Sequence, residues 1–241
     1  MKLFLKACLR FCNTVWLNVR FRRRGFRNNS FLWSRINNRG DNCFAVEYSH
    51  FSRSSINCCG YNNRIQISGA QIEGCFFSVA GTGNLISLEP GVKLRNTVFN
   101  IRGSNCAIRI GEGTSFGGAR LVNVGKDNSI DIGRNGLLAD NIEIWASDTH
   151  AIRNDAGELL NPEQPIVIDD HVWIGMGVRI LKGVRIGSNA VVGMGSLVTR
   201  DLKPGTLNVG SPARCIRENI NWSLDYERSM VETTVDGSDR P

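Results

Sequence analysis

The chain has 241 residues, 41% of them hydrophobic, enough to bury a sizeable core in one elongated domain. Its net charge of +7 is uneven: residues 1–40 hold ten Lys and Arg and no acid, so +7 less +10 leaves −3 on residues 41–241. A basic folded face for nucleic acid is thereby excluded. Eight scattered cysteines without paired spacing exclude a disulfide scaffold and predict reduced, mostly buried thiols.

Residues 1–40 read as a basic arm. Apolar Leu3, Phe4, Leu5, Cys8, Leu9, Phe11, Cys12, Val15, Trp16, Leu17 and Val19 recur near helical spacing. Lys6, Arg10 and Asn13 interrupt them, so no apolar run approaches the roughly eighteen residues of a membrane span. A secretory leader needs a longer apolar centre and a small-residue cleavage site. Two readings stand open. In one, an amphipathic helix within residues 1–27 lies on an anionic membrane, making the protein cytoplasmic and peripheral at the inner face. In the other, it packs on the end of the folded body or on a neighbouring subunit.

Residues 25–60, rich in Asn, Arg and Ser, are expected to be loop leading into a first irregular coil of a domain at 41–214. From Ile65 the chain becomes strand-like and punctuated by Gly, and a six-residue spacing surfaces at Leu88, Val92, Leu94 and Val98 and again at Ile110, Thr114 and Phe116. Gly/Asn clusters at 81–84, 103–105 and 125–128 read as insertions of turn chemistry. Residues 65–144 are predicted to be degenerate coils, with a separate small β-domain as the alternative. The polar stretch 145–165, closed by Pro162 and Pro165, is a loop long enough to carry function.

Over 166–203 the pattern becomes strict. Ile168, Ile174, Ile180, Ile186, Val192 and Val198 fall six apart, and Val172, Val178, Val184, Ala190 and Ser196 form a second row of small or β-branched residues. Neither a helix nor a half-buried strand has period six. One short strand and one turn per hexad, three hexads per coil, gives an all-β solenoid: a parallel β-helix. Within residues 215–241 a short helix over 218–231 is predicted to cover the coil's end, followed by a tail.

Three histidines are candidates for chemistry. His50 and His171 are read as structural, the latter at a polar corner. His150 stands at the root of the loop, with Asp148 two residues earlier and on the same side of an extended segment, where a carboxylate would fix the imidazole tautomer. No Cys or Ser nucleophile with its own base is visible, which favours direct transfer over a covalent intermediate.

The segments Ser147-Asp148-Thr149-His150, Val172-Trp173-Ile174-Gly175, Gly193-Met194-Gly195-Ser196 and Gly210-Ser211-Pro212-Ala213-Arg214 resemble the hexapeptide-repeat acyltransferases, most closely the bacterial O-acetyltransferases of surface polysaccharides. The resemblance is specific from about Asn141 to Trp222 and implies a left-handed coil, an exception to the usual crossover hand. It also implies a homotrimer with sites between subunits, acetyl-CoA as co-substrate with no metal, a saccharide hydroxyl as acceptor, and His150 as general base aided by Asp148. Coenzyme A contacts fall by the same resemblance on Met176, Met194, Thr199, Arg200, Arg214 and Arg217. Met176 and Met194 stand where small residues are usual, and Arg200 where Lys is. Trp173 matches a recurrent motif position and is expected to pack at a corner. N-acetylation of an amino sugar, a γ-type carbonic anhydrase and a non-catalytic scaffold are the rival readings on the same fold.

Overall fold

The computed structural model describes residues 26–224, so the arm helix, Cys8, Cys12 and the tail from residue 225 lie outside the described residues. Three sheets of eight, ten and eight strands run along the described chain, which visits them in rotation as far as Leu197–Val198. One coil, for example, lays Arg64–Ser68 on the first face, Gln71–Glu73 on the second and Phe76–Thr82 on the third, before Leu85–Leu88 returns to the first. Every ladder is parallel except the last, where Thr206–Gly210 pairs antiparallel with Ala213–Glu218. This is a β-helix, and no helix occurs among the described residues.

Solenoid strands are already present from the first described residue, Phe26, inside the span expected to be arm and loop, because Phe26, Phe31, Phe44 and Phe51 point into the core. Residues 65–144 share the same three sheets as 166–203, so no separate β-domain exists. The predicted C-terminal helix is replaced, up to the last described residue, by the strand Ala213–Glu218 and a non-helical segment. Both rows of the hexad pattern are buried: the Ile/Val row is at most 1% exposed and the small row at most 2%.

Coil length changes along the axis. Val167 pairs with Arg185, one regular coil of three hexads, whereas Leu85 pairs with Ala107, four residues more. The surplus lengthens the third face, where Phe76–Thr82 and Val98–Ser104 have seven residues against two in Leu197–Val198. Longer coils enclose a wider section, and stacked phenylalanines fill it, with Phe77 and Phe99 ring centroids 4.5 Å apart.

The Gly/Asn clusters are therefore not insertions that break the repeat but a column of identical corners. Gly60, Gly81, Gly103 and Gly125 lie in register, and a Cβ on Gly81 would stand 1.9 Å from the Gly103 carbonyl oxygen. At φ +118° and +151° for Gly81 and Gly103, only glycine holds this backbone without strain. Its inward carbonyls need donors, and a buried asparagine ladder supplies them. Asn63 Nδ2 donates to Gly81 O at 2.9 Å and Asn84 Nδ2 to Gly103 O at 3.0 Å. Each Asn carbonyl accepts from the next rung, Asn84 Nδ2 onto Asn63 Oδ1 at 2.9 Å and Cys106 N onto Asn84 Oδ1 at 3.0 Å.

The thiols are split. Cys58, Cys75 and Cys106 are buried, as expected, but Cys43, Cys59 and Cys215 are exposed. Alternation decides this, since Cys58 and Cys59 are neighbours on one strand and must face opposite ways. Burial pushes the Cys58 and Cys75 thiols up to about 11.

Two expectations follow from these packings. Gly81→Ala should cost about 4 kcal/mol or more, because the clash is with backbone. Gly157→Ala, with φ +81° but nothing within 4 Å, should cost only the left-handed strain of about 1–2 kcal/mol; denaturant melts of the two variants separate the cases. Neutral maleimide should label Cys43, Cys59 and Cys215 in the native protein and reach Cys58, Cys75 and Cys106 only after unfolding.

Candidate active site

The loop at 146–165 leaves the third face after Ile142–Trp145 and returns to the first face at Ile166–Ile168. Its two legs are gripped by the last rungs of the corner column. Asn128 Nδ2 donates to Ala146 O at 2.9 Å, and Glu163 Oε1 accepts the Lys126 N–H at 2.9 Å, its side chain filling the place above Gly125.

At the root, Ser147 Oγ accepts the Thr149 N–H at 3.0 Å and supports a left-handed Thr149, φ +62°. A β-branched residue in that region is strained, and such strain gathers at functional sites. His150 is exposed, with Nδ1 3.0 Å from Thr149 Oγ1. Asp148, expected beside the imidazole, is bonded elsewhere: its Oδ2 accepts from Lys182 Nζ at 2.5 Å and Asn161 Nδ2 at 2.8 Å. These bonds hold the Asp148 carboxyl below the ordinary range, the Lys182 bond first and Asn161 second. A half-buried ammonium one coil away outcompetes a neighbour in the chain, so Asp148 ties the loop rather than the ring.

Asn161 completes the tie. Its Nδ2 also donates to His150 O at 2.9 Å, its Oδ1 accepts the Ile152 N–H at 2.6 Å, and its own carbonyl accepts from Lys182 Nζ at 3.0 Å. Neither Lys182 nor Asn161 was singled out in the sequence. The only sequence signal for them is polarity, Lys182 at a hexad corner and Asn161 before Pro162.

The other histidines are structural in geometry. His171 lies at the corner between the first and second faces, with Nδ1 2.9 Å from Asn189 Oδ1 and its ring stacked on Trp222 at 4.2 Å. His50 sits on the second face with Nδ1 against the Ser30 hydroxyl. No group of three or more potential metal ligands occurs among the described residues. Trp173 does not pack inward: it stands 41% exposed on the second face, tilted against Trp222 at 6.0 Å.

The residues matched to coenzyme A are not gathered beside His150 within one chain. Thr199 and Arg200 share its edge, between the third and first faces. Met176 and Met194 stand on the edge between the second and third faces, 45% and 71% exposed. Arg214 and Arg217 lie on the final strand of the second sheet, exposed, with Arg214 Nη1 turned back onto Ala213 O at 2.9 Å.

A family model for the bacterial transferase hexapeptide, six repeats, matches residues 165–200. A galactoside O-acetyltransferase of Lactococcus lactis is 31% identical over 149 residues, 56% of this chain and 70% of the relative. The chain belongs to the hexapeptide-repeat transferase family. A polysialic acid O-acetyltransferase of Neisseria meningitidis is 29% identical over 200 residues, 73% of this chain and 91% of that one. The solved structure of the polysialic acid O-acetyltransferase OatWY superposes with a TM-score of 0.54 at 25% identity, covering 87% of this chain and 97% of that one. The coil is thus the left-handed parallel β-helix of the family. Other curated relatives are matched over about half of their own length.

Removing Lys182 tests the tie. In Lys182→Met the Asp148 pKa should rise towards the ordinary carboxylate value, followed by carboxyl NMR, and amide exchange in 147–161 should quicken. In the native protein Asp148 has a lowered pKa, so its bond is complete above the ordinary carboxylate range and is lost as pH falls through the lowered value. Protection of the loop amides, taken relative to the intrinsic exchange rate at each pH, should therefore fall in acid in the wild type and be largely insensitive to that titration in the variant.

Proposed function

We propose that the protein transfers an acetyl group from acetyl-CoA to a sugar hydroxyl of a surface polysaccharide or its precursor, with His150 as general base. The observation that carries this is the exposed imidazole at the loop root, held at Nδ1 by Thr149 Oγ1. In the tautomer that donates Nδ1–H to that oxygen, Nε2 is unprotonated and able to accept a proton. The acceptor hydroxyl gives its proton to Nε2 while its oxygen attacks the thioester carbonyl. The carbon–sulfur bond then breaks, and the departing thiolate takes the proton from the imidazolium. Such a base contributes roughly 10²–10⁴-fold.

The residues present suit the donor. Along the edge of Met176 and Met194 a Cβ on Gly195 would meet nothing within 4 Å, so the main chain is open to a narrow pantetheine-like arm. Exposed Arg200, Arg214 and Arg217 offer guanidinium groups to its phosphates. Because this edge and His150 stand at different corners of one coil, the reading places each site between two subunits of a homotrimer. The exposed Ile152, Leu159 and Leu160 on the loop supply apolar surface for such an interface. Relatives acting on galactosides and on polysialic acid support a saccharide acceptor.

His150→Ala should lower acetyl transfer by that general-base factor while acetyl-CoA binding stays near wild type; near-normal turnover would remove His150 from the role. Asp148→Asn should be milder, since Asp148 acts through the loop. Arg214→Ala should weaken acetyl-CoA binding about ten- to a hundredfold if it meets a phosphate, and leave acetyl-pantetheine, which lacks the nucleotide, unaffected.

A further inference from the structure

The second face carries a groove of about 560 Å³ that the acetyl-transfer residues do not occupy. It crosses five successive strands, His50–Ser52, Gln71–Glu73, Lys93–Arg95, Ser115–Phe116 and Leu137–Leu138. At about 4.8 Å per strand its four steps span about 19 Å, long enough for several linked sugar rings. Its outward polar residues are Ser52, Gln71, Ser115 and Glu73, the last ion-paired to Arg53, around two cations on one strand, Lys93 and Arg95.

Neither cation has an acidic partner of its own among the described residues. Several outward Arg residues are paired to an acid one coil away, as Arg27 with Glu47, Arg109 with Asp131 and Arg185 with Asp169. Lys93 stands between Gln71 and Ser115 in register, and has no ion pair or side-chain hydrogen bond among the described residues. Arg95 faces Glu73, but Arg53 holds that carboxylate from the other side. At its far end the groove reaches Asp140, whose carbonyl accepts the Gly177 N–H at 2.9 Å, at the very corner that presents Met176.

We infer that this groove binds a run of a carboxylate-bearing saccharide chain, with Lys93 and Arg95 on the carboxylates and the chain directed towards the Met176 edge. The inference rests on the saccharide acceptor proposed above, and it makes the enzyme selective for polymer over single sugar. Charge-assisted bonds from Lys93 and Arg95 supply the preference for an acid. The row of Ser and Gln groups meets hydroxyls at the spacing of the coils.

Direct binding tests it without catalysis. The full chain and its His150→Ala variant are titrated calorimetrically, without acetyl-CoA, with an eight-residue oligomer of sialic acid and a neutral gluco-oligosaccharide of equal length. The acidic oligomer should bind both proteins alike and the neutral one should not. Lys93→Gln with Arg95→Gln should weaken the acidic oligomer about tenfold or more, and added salt should do the same in the unsubstituted protein. Unchanged melting would confirm that the exposed substitutions leave the coil folded. Equal binding of both oligomers, no binding of the acidic one, or no response to the substitutions would overturn the groove. Loss of turnover in His150→Ala bears only on the catalytic reading.

Discussion

The corner between the third and first faces is the constraint on which the rest of this molecule depends. Glycine carbonyls there turn inward, away from the strand ladders, and each must find a donor in the interior. A buried asparagine in the next position provides one, as Asn63 to Gly81 O at 2.9 Å shows, and hands its own carbonyl to the following rung. An unpaired buried amide costs about 1–3 kcal/mol, so the ladder is stable only when continuous. Where Asn is replaced by Cys106, the thiol takes the same place, with Sγ 3.3 Å from Gly125 O.

The column ends where the loop begins. Asn128 has no further glycine to serve and instead holds Ala146 O, while Glu163 takes over the space beyond Gly125. Below it the coil shortens to three hexads, and the wide Phe-filled section gives way to Ile and Val. The loop is thus the seam between two coil gauges. His150 inherits a fixed position from that seam through Asn161, which holds its carbonyl at 2.9 Å, and through the tie of Lys182 to Asp148. The imidazole is exposed, yet its main chain is not free to wander.

Prismatic geometry also divides the work. A three-sided coil gives each protomer three edges, and residues of one function column recur on one edge because side chains stack in register. His150 with Thr199 and Arg200 falls on one edge, Met176 and Met194 on a second, and the Lys93–Arg95 groove on the face that runs to that second edge. No single chain can fold one edge onto another. The catalysis proposed here therefore draws on edges of different chains.

Much of this was legible in residue order. A period of six cannot arise from helix or sheet, so the regular coil from Ile168 to Val198, its two buried rows and the polar role of His171 followed directly. The Ser-Asp-Thr-His segment at the root of a long loop marked the candidate site. What escaped was whatever depends on stacking across coils. The glycines at 81, 103 and 125 looked like interruptions, because their register is visible only when the coils are superposed, twenty-two residues apart from Gly81 to Gly103 and from Gly103 to Gly125. Early strands from Phe26 were hidden by their polar outward residues.

Local order thus determined the fold class, the core rows and the histidine, since period and burial are properties of a short window. Tertiary structure alone decided which partner each polar group takes. Asp148 is two residues from His150 yet bonds Lys182, thirty-four residues on, because one coil returns the chain to the same corner. The thiols of Cys58 and Cys59 separate for the same kind of reason, and Arg95 is left without an acidic partner because Arg53 holds Glu73. Sequence neighbours in a solenoid diverge to different faces, and residues a full coil apart become the contacts that count.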